Sequence, residues 1–292
     1  MESLFGLSIS AETVEAVELL YDDPSLTLTA IGEWKRSPGT DLASLGERLV
    51  SFIHANGVSA KRVTVGLDTS LLIVHTFPVD DGLSREAWQQ QAQWELSQLV
   101  PSLPQSEYIT DVFPLAQKAS PSTQDVLSIS LRREDIRALK QSIREAGLVL
   151  QGVDGAHFCA ETMFLERSLE PPEGRALLVA VKKQRVEWSL LEQSALVHYA
   201  SRRAETPDAI VEELLAALQA QPPVHRVVLY GPHVTREIQE HIQRATPVPV
   251  HVLDPFQALS VPSDLPLVQH FAATSFRFAS AVGAALRNAG EP

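Results

Sequence analysis

A pattern of three apolar strands joined by short turns occurs twice in this chain. The first copy covers residues 4–9, 13–20 and 26–33, which alternate or run apolar with β-branched content. The second copy covers residues 176–181, 186–191 and 195–199. Because 292 residues exceed one typical domain, this repeat predicts an α/β protein of two related lobes. Each lobe begins with antiparallel strands.

A segment of different character, residues 83–152, separates the two copies. Ser84 is placed to cap a helix, strands follow near residues 108–114 and 126–131, and a second helix ends at Gly147. These elements predict a small α+β insertion into the first lobe.

The predicted insertion divides the chain into three parts. The first lobe takes residues 1–82 and 153–170, and the second lobe takes residues 171–292. Strands at 63–67 and 71–77 are assigned to the first lobe. The chain is expected to cross between the lobes at 170–174, where prolines and a glycine cluster.

The charge and cysteine content exclude several classes of protein. Thirty-six acidic residues against 24 basic ones give a net charge of −12, which argues against binding to nucleic acid or directly to an anionic membrane, since both need basic surface. Cys159 is the single cysteine, so no disulfide framework or thiolate metal cage is expected. The sequence shows no signal-peptide pattern and no apolar run long enough to cross a bilayer, and we expect a cytoplasmic protein.

Residues 6–15 read Gly-Leu-Ser-Ile-Ser-Ala-Glu-Thr-Val-Glu, an apolar strand, a tight turn and the start of a second strand. The stretch resembles the first phosphate motif, Gly-Leu-Asp-Ile-Gly-Ser-Ser-Ser-Val-Lys, of the pilus assembly proteins PilM and their cell-division relatives FtsA. In that family the Asp, the second Gly and the Lys serve magnesium and phosphate. Ser8, Ser10 and Glu15 stand at those positions here, and we expect the Glu15 carboxylate to repel phosphate.

Two later stretches resemble the other nucleotide motifs of the same family. Ala180 and Lys182 stand where the second phosphate motif has its Asp and Gly. At the glycine turn that packs on adenine, Gly231 remains, and Pro232 removes a backbone donor. The resemblance therefore predicts that magnesium-ATP is not bound tightly and that the protein has no cofactor.

The run Trp94-Glu95-Leu96-Ser97-Gln98-Leu99-Val100-Pro101 resembles the Trp-Glu and Ile-Pro pattern that PilM-like proteins carry on this helix. The resemblance extends in order over nearly the whole chain. It implies an actin-like, ribonuclease H-like, duplicated fold of two lobes with a small α+β insertion in the first.

Trp94 has two interpretations. It lies about 600° of helical rotation beyond Trp88 and therefore off the stripe that faces the core. It either seats the insertion against the first lobe or borders a partner groove between the two.

The sequence lacks residues that several catalytic motifs require. Residues 6–10 lack the last Gly and the following helix of a nucleophile elbow. The histidines show no metal-ligand spacing, so no metal site is predicted. A carbohydrate kinase of the same superfamily would need an Asp where Ala180 stands. We therefore expect no enzymatic activity.

The resemblance implies a scaffold of a type IV pilus or related secretion platform at the inner face of the cytoplasmic membrane. Its partner would be the short cytoplasmic amino-terminal tail of a PilN-like inner-membrane protein, and self-association into a homo-oligomer is left open. The alternative is a functional ATP-binding actin-like assembly protein whose phosphate contacts are rebuilt, for instance from Lys182 or Lys183.

Overall fold

The computed structural model describes residues 1–36, 42–102, 104–116, 122–167, 174–221, 223–263, 265 and 268–287. Most of the predicted crossing between the lobes, residues 170–173, lies outside the described residues, and so does the carboxyl-terminal end of the second lobe, residues 288–292.

The strands of the described residues are β1 (Glu2–Ile9), β2 (Thr13–Asp22), β3 (Ser25–Lys35), β4 (Arg62–Leu67), β5 (Ile73–Asp80), β6 (Tyr108–Pro114), β7 (Thr123–Arg132), β8 (Val149–Gly155), β9 (Arg175–Lys182), β10 (Arg185–Glu192), β11 (Ala195–Arg203), β12 (Arg226–Tyr230) and β13 (Val250–Val252). The helices are α1 (Leu45–Asn56), α2 (Arg85–Leu99), α3 (Arg133–Glu145), α4 (Ala156–Arg167), α5 (Pro207–Ala220), α6 (Arg236–Ala245), α7 (Val268–Phe271) and α8 (Ala279–Leu286).

Two five-stranded sheets share one topology. The first sheet has the order β3-β2-β1-β4-β8 and the second has the order β11-β10-β9-β12-β13. In both, three antiparallel strands precede two parallel ones. This equivalence confirms the predicted duplication, and it assigns each strand of the first lobe a counterpart in the second.

Helices cover both faces of the first sheet. Helices α1 and α3 pack on one face, through a core that includes Leu49, Leu139 and Ile143. Helices α4 and α8 pack against each other and on the other side of the sheet. In the second lobe, α5 and α6 bury Leu214 and Ile242 against the strands.

Helices begin and end where the chain supplies a cap, as predicted for Ser84. The Ser84 hydroxyl accepts a hydrogen bond from the Ala87 N–H at 3.3 Å, at the start of α2. Thr206 caps α5 in the same way, and Pro207 occupies its first turn. Gly57 ends α1 with φ of +62°, a conformation that glycine adopts at little cost.

The insertion is a three-stranded sheet of order β5-β7-β6, covered on one face by α2. Its strand pairing differs from the predicted boundaries at two strands. Strand β5, assigned to the first lobe, pairs with β7 of the insertion, and β8, part of which was assigned to the insertion, pairs with β4 of the first lobe. Helix α3 likewise packs into the first-lobe core. Local alternation identifies a strand but not its partner.

Candidate functional site

A cavity of about 450 Å³ opens between the two lobes, at the hairpin that joins β1 to β2 and the one that joins β9 to β10. The structure brings the three predicted motif regions together at this cavity. Its lining includes Ser8, Ser10, Glu15, Lys182, Gly231 and Pro232. Ala180 does not line the cavity and is fully buried within β9.

The Lys182 ammonium forms ion pairs with carboxylates from both lobes. One partner is Asp68, which directly follows β4 in the first lobe. The other is Glu187 on β10, whose Oε2 lies 2.8 Å from Lys182 Nζ. The Thr69 hydroxyl donates to the other oxygen of Glu187. This cluster therefore ties the lobes together through one cation and two anions.

The electrostatics of the cluster favour the charged forms of Lys182 and Asp68. Burial lowers the pKa of Lys182, but Glu187 and Asp68 outweigh it and leave that pKa above its usual value. Burial raises the pKa of Asp68, but Lys182 and the Ser70 N–H outweigh it and leave that pKa below its usual value. A buried charge is stable only with such compensation.

The position of Glu187 adds to one sequence interpretation. Ala180 leaves the second acid position of the nucleotide motif without a carboxylate, and Glu187 stands directly opposite Ala180 in the β9–β10 pairing. The first lobe repeats the arrangement, because Glu15 stands directly opposite Ser8 in the β1–β2 pairing. In both lobes the carboxylate lies on the neighbouring strand.

Glu15 itself is not the open, repelling carboxylate that the sequence predicted. It is buried, and its Oε1 accepts a hydrogen bond of 2.5 Å from the Thr13 hydroxyl. Burial raises the pKa of Glu15 to about 7, against opposing hydrogen bonds from Thr13 and Ser8. Its negative charge at neutral pH is therefore only partial.

The turn between β1 and β2 bonds two of its backbone donors to a side chain of its own. The Ser10 hydroxyl oxygen accepts hydrogen bonds from the N–H of Thr13 at 2.9 Å and of Glu12 at 3.2 Å. In a phosphate-binding turn, such N–H groups would face the anion. Ser10 therefore takes up donors that a phosphate would need.

The mouth of the cavity is bridged by a second ion pair between the lobes. Lys183 Nζ, on the β9–β10 hairpin, lies 2.5 Å from Glu12 Oε1 on the β1–β2 hairpin. The opposite oxygen of Glu12 lies 3.8 Å from His233 Nε2. The hydrogen bond from Lys183 lowers the pKa of Glu12, so this carboxylate is ionised at neutral pH. The charge of Lys183 is therefore compensated within the protein.

Gly231 has a backbone reason to be glycine. Its φ is +105°, and a Cβ added there would lie 2.8 Å from the Val181 carbonyl oxygen. Its N–H donates to the Phe276 carbonyl at 3.2 Å. The glycine thus allows the turn to lie against the end of β9, and its donor is already used.

Several groups that could contact a magnesium triphosphate already have partners within the protein. Lys182 already balances the two carboxylates that a cation would need, and Glu12 already balances Lys183. The turn donors near Ser10 and Gly231 are bonded within the protein. In the described part of the chain, no group of three or more His, Cys, Asp and Glu side chains is arranged to hold a metal ion.

Sequence reasoning missed Asp68, Thr69 and Glu187. Asp68 follows a buried strand at its carboxyl end, the usual edge for binding sites in α/β sheets, and that signal was readable. Glu187 reads as an ordinary hairpin residue, because its role depends on pairing with Ala180 and on a contact with Thr69 from the other lobe.

A chain of buried polar groups also joins the lobes. The Tyr230 hydroxyl lies 2.7 Å from His157 Nδ1, and His157 Nε2 lies 2.9 Å from Ser189 Oγ. The Ser189 hydroxyl donates to the Glu161 carboxyl, so the Ser189 oxygen accepts a hydrogen bond from His157 Nε2–H. With its proton on Nε2, the neutral imidazole accepts at Nδ1 from the Tyr230 hydroxyl. Burial lowers the pKa of His157 to about 3 and raises that of Glu161 to about 7. Although the set resembles a nucleophile and base, His157 and Ser189 are fully buried and closed to a substrate.

Comparison with known proteins places this geometry in a family. A sequence model of the type IV pilus assembly protein PilM matches residues 6–203. The chain belongs to the PilM family. The predicted family resemblance is therefore confirmed.

Solved structures give the same fold assignment for this PilM-family chain. A structure described as a PilM–PilN type IV pilus biogenesis complex aligns with a TM-score of 0.80 and 19% identity, over 99% of both chains. A Bacteroides thetaiotaomicron protein with an actin-like ATPase fold and unknown function aligns at 0.58 and 13%, over 89% of this chain and 93% of that one. An Arthrobacter polyphosphate/ATP-glucomannokinase aligns at 0.52 and 11%, over 98% of both. The fold is actin-like, as predicted.

The PilM-family insertion carries most of the exposed large apolar side chains. Those on the insertion are Leu83, Trp94, Leu99, Ile109 and Phe113. Trp94 is 58% exposed on α2. Both interpretations of Trp94, as a seat for the insertion and as a border of a partner groove, stay predictions. None of the helices in the described ranges has both the length and the apolar character needed to span a membrane.

Strand β6 combines exposed apolar side chains with a free edge, meaning that no second strand among the described residues pairs with it. It is the last strand of the insertion sheet, and its Val112 faces the core beneath α2. Ile109 and Phe113, 43% and 41% exposed, alternate with Val112 and point to the other face. Phe113 stands opposite Leu127, which packs with Phe158 of α4 and Tyr199 of the second lobe. This face of β6 is thus turned toward the lobes.

Proposed function

We propose that this PilM-family protein is a non-catalytic scaffold that docks the short cytoplasmic tail of a PilN-like inner-membrane protein. The assembly would be a type IV pilus or a related secretion platform. The partner would hold the scaffold at the inner face of the cytoplasmic membrane. The observation that carries the proposal is the free edge of β6 with exposed Ile109 and Phe113.

A tail that docks on this edge would be extended. The unpaired backbone of an edge strand offers N–H and C=O groups to a further strand, and alternate side chains of the added strand meet the same face. Ile109 and Phe113 would then contact apolar side chains of the tail. The net charge of −12 favours a tail with basic residues.

The absence of catalysis is the second part of the proposal. Its support is the compensation of Lys182 by Asp68 and Glu187, and of Lys183 by Glu12. The alternative, an ATP-binding assembly protein with phosphate contacts rebuilt from Lys182 or Lys183, would have to break these pairs. Disrupting the buried ones would cost several kcal/mol.

The docking site is tested by calorimetric titration with a synthetic peptide of the PilN-like tail. We expect a Kd in the micromolar range, about −8 kcal/mol. Ile109→Asp and Phe113→Asp should each weaken binding at least about tenfold, because each places a charge in an apolar contact. Trp94→Ala in the same titration tests whether the exposed indole borders the tail.

Val149→Asp is the matched control, because Val149 is also an exposed apolar residue on an edge strand but belongs to the first lobe. It should bind the tail like the wild type. If the β6 variants bind normally, or if Val149→Asp alone loses binding, the proposed docking site is wrong.

A further inference from the structure

The cluster around Lys182 has the composition of a cation site that already contains its cation. Asp68 and Glu187 approach one ammonium from opposite lobes, and the Thr69 hydroxyl bonds to Glu187. The Glu187 side chain is fully buried, and the Lys182 and Asp68 side chains are only 16% and 12% exposed. We propose that Asp68 and Glu187 form a latent site for a divalent cation, which the Lys182 ammonium keeps filled.

The ligand chemistry fits a small, hard cation. Carboxylate and hydroxyl oxygens are the ligands of magnesium and manganese, and magnesium is commonly held by one or two carboxylates with water completing its shell. Removal of the ammonium would leave two carboxylates close together with little solvent to screen them. A divalent ion supplies the missing charge without a new protein ligand.

Equivalent positions of the two lobes differ at Lys182, so only the second lobe pairs its carboxylate with an ammonium. Glu187 opposes Ala180 as Glu15 opposes Ser8, seven residues apart along the chain in both lobes. Two residues beyond Ala180 comes Lys182, and two residues beyond Ser8 comes Ser10. The second lobe therefore balances its carboxylate with a cation. The first lobe carries a carboxyl whose pKa burial raises to about 7.

The consequence for the molecule is a cleft held closed by its own side chains. Asp68 belongs to the first lobe, and Lys182 and Glu187 belong to the second, so the ion pairs do what a bound metal nucleotide would otherwise do for the lobes. The Lys183–Glu12 pair at the mouth acts in the same direction. This inference does not depend on the docking of a tail and survives the failure of that proposal.

The test compares manganese binding to the wild type and to Lys182→Ala, by calorimetry and by the electron paramagnetic resonance of free Mn²⁺. The wild type should bind no Mn²⁺ at this cluster. Lys182→Ala should bind one Mn²⁺ ion, at least about tenfold more tightly than any nonspecific binding to the wild type, and its Tm should rise with the Mn²⁺ concentration by ligand linkage. Addition of Asp68→Asn to Lys182→Ala should abolish both effects.

Lys183→Ala is the matched control, since it removes a neighbouring ammonium whose carboxylate partner, Glu12, is 47% exposed. It should gain no Mn²⁺ site. If Lys182→Ala does not fold alone, the proposal is supported when refolding yields folded protein with Mn²⁺ but not without it. The double variant Lys182→Ala/Glu187→Gln, which also lacks the buried carboxylate, should then fold without the ion. Three results would overturn the proposal. Lys182→Ala could fold and not bind Mn²⁺, it could stay unfolded even with Mn²⁺, or the wild type could bind Mn²⁺ through Asp68.

Discussion

Single side chains set the electrostatics of the interface between the lobes. Glu161, on α4, is buried and accepts a hydrogen bond from Ser189 of the second lobe. Burial raises its pKa from 4.5 to about 7, which exceeds the opposing effect of Ser189. In the unfolded chain the same carboxyl ionises near its ordinary pKa. The native state therefore binds this proton more tightly than the unfolded state does.

This difference gives a pH-dependent prediction. The stabilising contribution of Glu161 is complete below pH 4.5 and is lost as the pH rises through about 7. Glu161→Gln keeps an acceptor for Ser189 and has no proton to lose, so it should gain about 1–3 kcal/mol relative to the wild type between about pH 5 and about pH 8. Urea unfolding at both pH values measures the gain. Glu15 and His157 are present in both proteins, so their titration cancels in the comparison. An equal difference in the free energy of unfolding between the two proteins at both pH values would contradict the prediction.

At the scale of elements, the contact between α8 and α4 depends on glycine. A Cβ on Gly283 would lie 1.7 Å from the Cys159 carbonyl oxygen, which is backbone and has no rotamer to relieve it. Gly283→Ala should therefore force the helices apart and lower the free energy of unfolding by about 3 kcal/mol or more. Gly152→Ala is the control, because the nearest atoms lie 3.9 Å from its added Cβ, and it should change stability little. Similar losses for both variants would refute this account of the contact.

The sequence predicted elements better than their assembly. The repeated strands, the cap at Ser84 and the helix that ends at Gly147 follow from local periodicity and chemistry, and the structure confirms them. The exchange of β5 and β8 between insertion and lobe was missed, because pairing partners are far apart in the chain. The convergence of the three motif regions was predicted through the family resemblance. The partners of Lys182 were not, because Asp68 comes from the other lobe.

On the scale of the whole molecule, the polar contacts between the two lobes in the described residues include three sets that line or adjoin the cleft. These are the Lys182 cluster, the Lys183–Glu12 pair and the buried chain from Tyr230 to Glu161. Their number, and the burial of the Lys182 cluster and of the chain from Tyr230 to Glu161, support a cleft that keeps one arrangement. The face of β6 on the insertion would then be presented in the same way whether or not nucleotide is present. We therefore expect the docking of the tail to be independent of nucleotide.

A calorimetric experiment tests this independence. The PilN-like tail peptide is titrated into the wild-type protein without nucleotide and then with Mg-ATP, and Mg-ATP is also titrated alone. We expect the tail to bind with the same affinity in both conditions. We also expect no Mg-ATP binding tighter than about 10 μM, or roughly −7 kcal/mol. Tighter Mg-ATP binding, or a tail affinity that changes about tenfold with Mg-ATP, would contradict these expectations.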